Sequence, residues 1–252
     1  MPSKEITFRT LDIGGDKVLS YFKDHSNEDN PSMGIRSIRF SLKYPDIFCQ
    51  QIRAILRAGY KSQLKIMFPM ISSVDEFKKA KSWVHTCMEE LKKAKVPYHD
   101  NPQIGLMIEM PSVLEVLNEL AVEADFFSVG TNDLVQYILA VDRTNEKVAD
   151  LYLPHHPSIL RALKKIVDAA QKYKKDVTVC GDMAHDEKYL KYLLGIGIRK
   201  LSVNPNYLPK MHGAIKKINL ENALVFTQNL LAQSLIRDID PFICENKNPD
   251  VE

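Results

Sequence analysis

Residues 104–134 read IGLMIEMPSVLEVLNELAVEADFFSVGTNDL, and this stretch decides the fold class. Its two ends, 104–108 and 126–129, are short apolar runs that predict buried strands. Apolar residues recur between them at helical spacing, which predicts a helix over 112–121. A strand, a helix and a second strand in this order are typical of a parallel sheet covered by helices. The stretch therefore indicates an α/β fold.

The alternation of strands and helices extends over the rest of the chain. Strands are predicted at residues 6–11, 35–40, 64–68, 104–108, 126–129, 177–180 and 200–203. Further helices are predicted after Pro45, after a capping box at residues 73–76, and near 157–173, 186–194 and 221–236. An open doubly wound sheet and a (β/α)8 barrel both fit this pattern. The chain lacks the glycine-rich fingerprint of dinucleotide-binding sheets, which disfavours the open sheet.

The composition is that of an ordinary globular protein. The 252 residues are 45% hydrophobic and 26% charged, which excludes fibrous and wholly disordered chains. A net charge of +2 is too small to indicate a nucleic-acid or membrane-surface binder. The cysteines are too widely spaced for zinc pairs or a disulfide framework, and no apolar signal segment opens the chain. We expect a soluble, cytoplasmic protein with one domain at 1–240 and a polar tail at 241–252.

Polar residues follow several of the predicted strands. Glu109 follows the strand at 104–108, and Asn132 and Asp133 follow the strand at 126–129. In a parallel α/β fold these strand ends open onto one face, where barrel enzymes build their active sites. Two carboxylates from two strands suit Mg²⁺, which prefers oxygen ligands. A surface acid and a simple helix cap are the alternatives for these residues.

Arginines are the candidate anion ligands, because a guanidinium group matches phosphate oxygens bidentately. The candidates are Arg9, Arg36, Arg39 and Arg143. Arg9 and Arg36 lie in predicted strands, where an unpaired charge is costly to bury, so we expect an anionic partner or substrate for each. Lys17 follows two glycines but lacks the Ser or Thr of a phosphate-binding P-loop, and its role stays open.

Cys180 ends the predicted strand at 177–180 and precedes a glycine. A cysteine in an apolar strand is often a small buried hydrophobic residue, whereas its position at a strand end also suits a reactive thiol. Cys49 and Cys87 lie in predicted helices and are expected only to pack. No histidine stands beside a carboxylate or serine at a catalytic spacing.

Six collinear segments resemble the phosphoenolpyruvate-binding domain of enzyme I of the bacterial phosphotransferase system, the phosphoenolpyruvate-protein phosphotransferase family. They are RTLDIGGDK (9–17), NPSMGIRSIR (30–39), IMFPMISS (66–73), LMIEMPS (106–112), FFSVGTNDLVQYILAVDR (126–143) and VCGDMA (179–184). The related pyruvate phosphate dikinases and phosphoenolpyruvate synthases share the barrel and the cysteine, but the first two segments look more like enzyme I. The resemblance implies an α/β fold of the (β/α)8 TIM barrel type that binds phosphoenolpyruvate.

The resemblance also implies roles for individual residues. It implies substrate binding by Arg9, Arg36, Asn132, Asp133 and Arg143, Mg²⁺ binding by Glu109 and Asp133, and proton donation to the departing enolate by Cys180. The family's glutamate after Cys-Gly is Asp182 here, and the final segment LSVNPNYLPK differs from the serine-rich family pattern.

The chain begins at what resembles the family's second barrel strand, so we expect a barrel without its first strand. Phosphoryl transfer would then go to a histidine on a separate enzyme I N-terminal domain and, through it, to the phosphocarrier protein. A homodimer is expected from the family. Three alternatives stay open: a catalytically silent phosphoenolpyruvate-binding or dimerisation module, a relative of pyruvate phosphate dikinase or phosphoenolpyruvate synthase, and a metal-dependent enolate lyase of the aldolase type.

Overall fold

The computed structural model describes residues 4–14 and 30–244. The strands in these ranges are β1 (Glu5–Arg9), β2 (Gln63–Phe68), β3 (Gln103–Ile108), β4 (Phe126–Gly130), β5 (Asp176–Cys180) and β6 (Lys200–Leu201). The α-helices are α1 (Ile38–Lys43), α2 (Pro45–Ala58), α3 (Val74–Lys93), α4 (Leu117–Glu123), α5 (Thr131–Leu139), α6 (Pro157–Lys172), α7 (Glu187–Ile196), α8 (Leu208–Lys216), α9 (Leu220–Ala232) and α10 (Ile236–Cys244). Short 3-10 helices cover Pro31–Met33, Pro111–Glu115, Ala149–Leu151, Asp182–Ala184 and Pro205–Tyr207.

The chain divides into two compact units. The first unit comprises the residues up to 108 together with 122–126, and the second comprises 109–121 and the residues from 127 onward. In the first unit β1, β2 and β3 are hydrogen-bonded neighbours in that order across the sheet, and in the second unit β4, β5 and β6 are neighbours in that order. The α/β class predicted from the alternating pattern is confirmed in both.

The first unit is a parallel three-stranded sheet covered by α2 and α3. Phe8 of β1 lies opposite Ile66 of β2, and Ile66 lies opposite Ile104 of β3. Phe68, at the end of β2, makes edge-to-face contacts with Phe48 of α2 and Phe77 of α3, at centroid distances of 6.0 and 5.9 Å. Burying these rings removes a large apolar area from water and supplies much of the core's stability.

The predicted capping box opens α3, with one difference in its bonding. The Ser73 hydroxyl accepts a hydrogen bond from the Glu76 amide at 3.1 Å, as predicted. The Glu76 carboxylate accepts from the Ser72 amide at 2.6 Å and from the Ser72 hydroxyl at 3.0 Å. The glutamate therefore binds one residue earlier than in the standard motif, where it binds the amide of the cap itself.

The second unit places its helices around a buried strand. All five residues of β4 are buried, and β5 pairs in parallel with β6. Gly195 of α7 lies against α9, where an added Cβ would collide with the Thr227 hydroxyl and the Ala223 carbonyl. Only glycine lets these two helices approach so closely, because any side chain would occupy the contact itself.

One predicted strand is wrong. Residues 38–40 of the segment predicted as a strand over 35–40 belong to the helix α1, and Arg36 lies in the turn before it. Ile38 and Ser41, three residues apart, are both buried, which is helical spacing. A short apolar run fits a buried strand and a buried helix equally well, so periodicity alone could not separate them. The other six predicted strands are confirmed, with ends shifted by one or two residues.

The barrel and two of the helices differ from the prediction. A closed (β/α)8 barrel is not confirmed, because the described residues contain six strands. The helix predicted over 112–121 is divided into the 3-10 helix Pro111–Glu115 and α4, and the helix predicted over 221–236 ends at Ala232 before α10 begins. Residues 241–244 of the predicted tail continue α10, and the rest of that tail lies outside the described residues.

Among the described residues, no helix combines the length and the apolar character that spanning a bilayer requires.

Candidate active site

The start of α5 is the centre of the candidate site in the second unit. The last residue of β4, Gly130, is followed at once by Thr131, the first residue of α5. The Thr131 hydroxyl donates to the Cys180 carbonyl at 2.8 Å, which ties the end of β5 to the first turn of the helix. This turn also carries Asn132 and Asp133, and amides in a first turn point out of the helix without intrahelical partners. The ends of two strands therefore meet at the start of this helix.

Cys180 lies at this meeting point and is half-buried. Its thiol donates to the Val129 carbonyl at 3.3 Å and lies 3.9 Å from the Ser128 hydroxyl. Gly181 follows with a φ of +86°, and a Cβ on it would collide with the Thr131 hydroxyl and the Asn132 side-chain oxygen. Glycine is required there both for its backbone conformation and for the close approach of β5 to α5. The predicted position of Cys180 at a strand end is confirmed.

Asn132 and Asp133 are held by different partners. The Asn132 side-chain oxygen accepts from the Asp182 amide at 2.8 Å, so the amide side chain is fixed against the turn after β5. The Asp133 carboxylate is 8% exposed and pairs with the Arg143 guanidinium at 3.1 Å. The Arg143 side chain is 35% exposed, so the pair joins a buried anion to a cation that reaches solvent. The predicted metal ligand and the predicted phosphate ligand are thus paired with each other in this structure.

Tyr152 joins the same cluster, although sequence reasoning did not single it out. Its hydroxyl donates to the Asn132 main-chain carbonyl at 3.3 Å. Burial raises the pKa of the Tyr152 hydroxyl to about 12, while the positive charge of Arg143 opposes that rise. No motif contains Tyr152, because its contact depends on the path of the loop that precedes it.

Glu109 follows β3 and is 2% exposed. The 3-10 helix Pro111–Glu115, which begins two residues later, packs against α5. Two buried carboxylates, Glu109 and Asp133, match the donor set that Mg²⁺ takes, one or two carboxylates completed by water or substrate oxygens. Groups of three or more His, Cys, Asp or Glu side chains able to hold a metal do not occur in the described ranges.

Two of the predicted anion ligands lie in the first unit and share one carboxylate. Asp12, 6% exposed, pairs with Arg36 at 3.2 Å and with Arg9 at 3.4 Å, and it accepts a hydrogen bond from the Ser37 hydroxyl. The Arg36 side chain is 7% exposed and that of Arg9 is 41% exposed. The expectation that each arginine has an anionic partner is met by Asp12. Gly14, with a φ of +107°, packs against the Arg36 backbone.

The remaining anion candidates play other parts. Arg39 donates to the Met33 carbonyl at 2.6 Å and to the Gly34 carbonyl at 3.2 Å, so it holds the turn before α1. Lys17 lies outside the described residues. Cys49 and Cys87 are both buried in the first unit, as predicted, and burial is the main cause that raises the pKa of the Cys87 thiol to about 12.

The family follows from comparison with known proteins. A model of the phosphoenolpyruvate-binding domain of PEP-utilising enzymes matches residues 1–220. The chain belongs to this family. The resemblance inferred from the six collinear segments is therefore confirmed, and Glu109, Asn132, Asp133, Arg143 and Cys180 all lie within the matched range.

The most informative relatives of this PEP-utilising domain are named phosphoenolpyruvate-protein phosphotransferase. The chain is 46% identical over 226 residues to that of Mycoplasma capricolum, covering 90% of this chain and 39% of the relative. It is 42% identical over 245 residues to that of Bacillus subtilis, covering 97% of this chain and 43% of the relative. The chain thus spans about two fifths of the length of these relatives.

Solved structures give information on the fold alone. A citrate lyase from Burkholderia xenovorans has a TM-score of 0.50 at 23% identity, over 73% of this chain and 58% of that chain. A malate synthase from Haloferax volcanii has the same TM-score of 0.50 at 14% identity, over 70% of this chain and 54% of the other. Both support an α/β architecture and say nothing of this chain's chemistry, because a fold hosts many functions.

Proposed function

We propose that the chain binds phosphoenolpyruvate and Mg²⁺ and supplies the phosphoryl group to a histidine on a separate domain, as in a phosphoenolpyruvate-protein phosphotransferase. The observation that carries the proposal is the network at the start of α5. Asn132 and Asp133 lie in the first turn of that helix, Arg143 pairs with Asp133, and the Cys180 carbonyl accepts from Thr131 of the same turn. The relatives' shared name supports the same chemistry.

Arg143 is suited to receive the phosphate. Phosphoryl transfer depends on positive charge around the equatorial oxygens of the phosphorus, and a guanidinium group offers a fixed fork of donors. The Arg143 side chain is 35% exposed and extends from the buried Asp133 toward solvent. The first turn of α5 adds a favourable helix dipole for an anion, which strengthens the same preference.

Glu109 and Asp133 are the proposed metal ligands. Both are buried carboxylates, and Mg²⁺ is usually held by one or two carboxylates completed by water and substrate oxygens. Bound Mg²⁺ would neutralise charge that develops on the phosphate oxygens. Asn132, fixed by the Asp182 amide, would present its side chain next to that ion.

Cys180 is the proposed proton donor. When the phosphorus–oxygen bond breaks, the phosphorus joins the acceptor histidine nitrogen and the bond's electrons leave with the enolate. The enolate then takes the thiol proton of Cys180 at carbon, which gives pyruvate and a thiolate that regains its proton from water. The thiol now donates to the Val129 carbonyl, so it is held at the strand end with its proton in place.

The proposal also includes two arginines of the first unit, because of their chemistry, and the partner proteins, because of family membership. Arg9 and Arg36 are proposed phosphate ligands because both are guanidinium groups that already bind an anionic oxygen of Asp12. Transfer onward to a phosphocarrier protein, a homodimeric state and action in the cytoplasm complete the proposal.

Calorimetric titration tests the binding. Phosphoenolpyruvate is added to the full chain with Mg²⁺ present and again with the metal chelated. We expect binding with Mg²⁺ and a large loss of affinity without it. The absence of any Mg²⁺-dependent heat from a folded sample would overturn the proposal.

A silent binding module is the second candidate, because Asp133 and Arg143, the proposed metal and phosphate ligands, are paired with each other. Labelled phosphoenolpyruvate and a separately made histidine domain distinguish the two. Label on the histidine supports the transferase, and binding without label supports the module.

A further inference from the structure

The loop between α5 and α6 leaves one end of α5 and returns to the other. Ala140, with a φ of 53°, ends the helix, and Arg143 follows three residues later and pairs with Asp133 at 3.1 Å. At the far end of the same loop, the Tyr152 hydroxyl donates to the Asn132 carbonyl at 3.3 Å. The two ends of one loop therefore hold two consecutive residues in the first turn of α5.

At the far end of the loop, the Tyr152 hydroxyl stays protonated and remains a hydrogen-bond donor. Burial is the main cause that raises the pKa of the Tyr152 hydroxyl to about 12, so at neutral pH the group keeps its proton and acts as a donor. The carbonyl it binds belongs to the helix backbone, and a carbonyl oxygen has a second lone pair for such a donor. Three residues later, the His155 ring lies 2.9 Å from the Asp240 carboxylate of α10, which fixes the segment that follows Tyr152.

The arginine end changes when ligand binds under the proposed function. Arg143 pairs with Asp133 in this structure. The proposed function assigns the guanidinium group to a phosphate and the carboxylate to a metal ion, so each gains a new partner at the moment of binding. The contact between Arg143 and Asp133 then weakens. Of the two contacts that attach the loop to the first turn of α5, only the Tyr152 hydrogen bond is unchanged.

We propose that Tyr152 is a positioning residue that keeps the loop 140–152 on the first turn of α5 while Arg143 exchanges Asp133 for the phosphate of phosphoenolpyruvate. The ligand part of this inference rests on the proposed function. Tyr152 itself acts through Asn132 and the loop, and it transfers no proton.

The chain offers a matched control for the hydroxyl. Tyr192 of α7 is fully buried, and its hydroxyl donates to the Leu160 carbonyl, far along the chain from the site. Tyr152→Phe and Tyr192→Phe therefore each remove one tyrosine-to-carbonyl hydrogen bond and keep the ring. Both variants lose stability, but only the first touches the loop at α5.

Two measurements test the inference. Calorimetry gives the phosphoenolpyruvate affinity with Mg²⁺, and we expect about a fivefold loss for Tyr152→Phe and no change for Tyr192→Phe, the size typical of one hydrogen bond. Hydrogen exchange of the chain without ligand gives the second readout. We expect faster exchange of residues 131–135 and 143–152 in Tyr152→Phe alone.

Each outcome decides a different part. If the unsubstituted chain binds and Tyr152→Phe binds equally well, the role of Tyr152 in ligand binding is refuted. If exchange in 131–135 and 143–152 is unaltered by Tyr152→Phe, the hydroxyl does not hold the loop, whatever the ligand does. If the unsubstituted chain does not bind phosphoenolpyruvate, the proposed function fails, and the exchange result still decides whether Tyr152 anchors the loop.

Discussion

Each unit contains a buried carboxylate paired with arginine, and the two arrangements differ in how deeply the arginine is buried. Asp12 in the first unit pairs with Arg36, whose side chain is 7% exposed. Asp133 in the second unit pairs with Arg143, whose side chain is 35% exposed. A positive-φ glycine packs beside each arrangement, Gly14 in the first and Gly181 in the second. Asp12 thus has one deeply buried arginine partner besides Arg9, which is 41% exposed, whereas Asp133 pairs with an arginine that is partly exposed. We therefore expect Asp12 to contribute more to stability than Asp133.

The largest effect is expected from Asp12→Asn. The substitution keeps the size of the side chain but leaves the buried Arg36 without its carboxylate partner, which typically costs about 3 kcal/mol or more. Urea unfolding measures this loss of free energy of unfolding. Asp168→Asn is the control, because Asp168 and Lys164 form an exposed pair with side chains 52% and 39% exposed. Equal losses in the two variants would show that the contact between Asp12 and the buried Arg36 does not stabilise the fold.

Gly181→Ala is expected to cost about 2 kcal/mol, because alanine is strained at a φ of +86° and its methyl group would collide with Thr131 and Asn132. The change should also weaken phosphoenolpyruvate binding, since the collision displaces the first turn of α5. Gly213→Ala in α8 is the control, because no atom lies within 4 Å of an added Cβ there. That variant should be as stable as the original or more stable, since alanine favours helix. A Gly181→Ala protein with unchanged thermal unfolding would show that the close approach is not needed.

Asp133→Asn tests the partly exposed pair of the second unit. Because its arginine partner is partly exposed, we expect a stability loss of only about 1 kcal/mol or less. The affinity for phosphoenolpyruvate with Mg²⁺ should nevertheless fall at least about tenfold, since the proposed carboxylate ligand of the metal is removed. Calorimetry and urea unfolding on the same sample measure both quantities. A stability loss as large as that of Asp12→Asn, with affinity unchanged, would show that Asp133 stabilises the fold and does not bind the ligand.

The smallest effect concerns a third carboxylate, Asp240, whose partner His155 can titrate. Burial is the main cause that lowers the pKa of His155 below 6.5, Lys188 and His156 act in the same direction, and Asp240 opposes them. A histidine whose pKa is lowered by folding favours the neutral form, so stability is retained above the unfolded pKa and declines as pH falls below about 6.5. We expect a slightly smaller decline between pH 7.5 and 5.5 in His155→Gln than in the original protein. Chemical unfolding at the two pH values measures the free energy of unfolding. An identical decline in both proteins would show that His155 does not contribute to the pH dependence.

Much of the strand pattern could be predicted from the sequence, because strands of a buried parallel sheet are continuous apolar runs. The exception at 35–40 arose from a run too short to separate helix from strand, and the turn at Ser37 that starts α1 depends on its contact with Ile13. The strand-end positions of Glu109, Asp133 and Cys180 were also predictable, since parallel strands present their ends on one face.

The pairings of the site could not be predicted. Asp133 and Arg143 are ten residues apart along the chain, and Asn132 and Tyr152 are twenty apart, so each contact depends on the course of an irregular loop. No periodicity describes such a loop. The same reason hid the sharing of Asp12 by Arg9 and Arg36, which joins two segments separated in the sequence by 24 residues.

The direct passage from β4 into α5 has a consequence for how the sequence can vary. No residue separates Gly130 from Thr131, so an inserted residue has no loop in which to be absorbed. One extra residue would turn the helix by roughly 100° about its axis and move Asn132 and Asp133 off the side that meets Cys180. Natural differences in length among members of the family should therefore accumulate elsewhere, and this junction should keep a constant residue count.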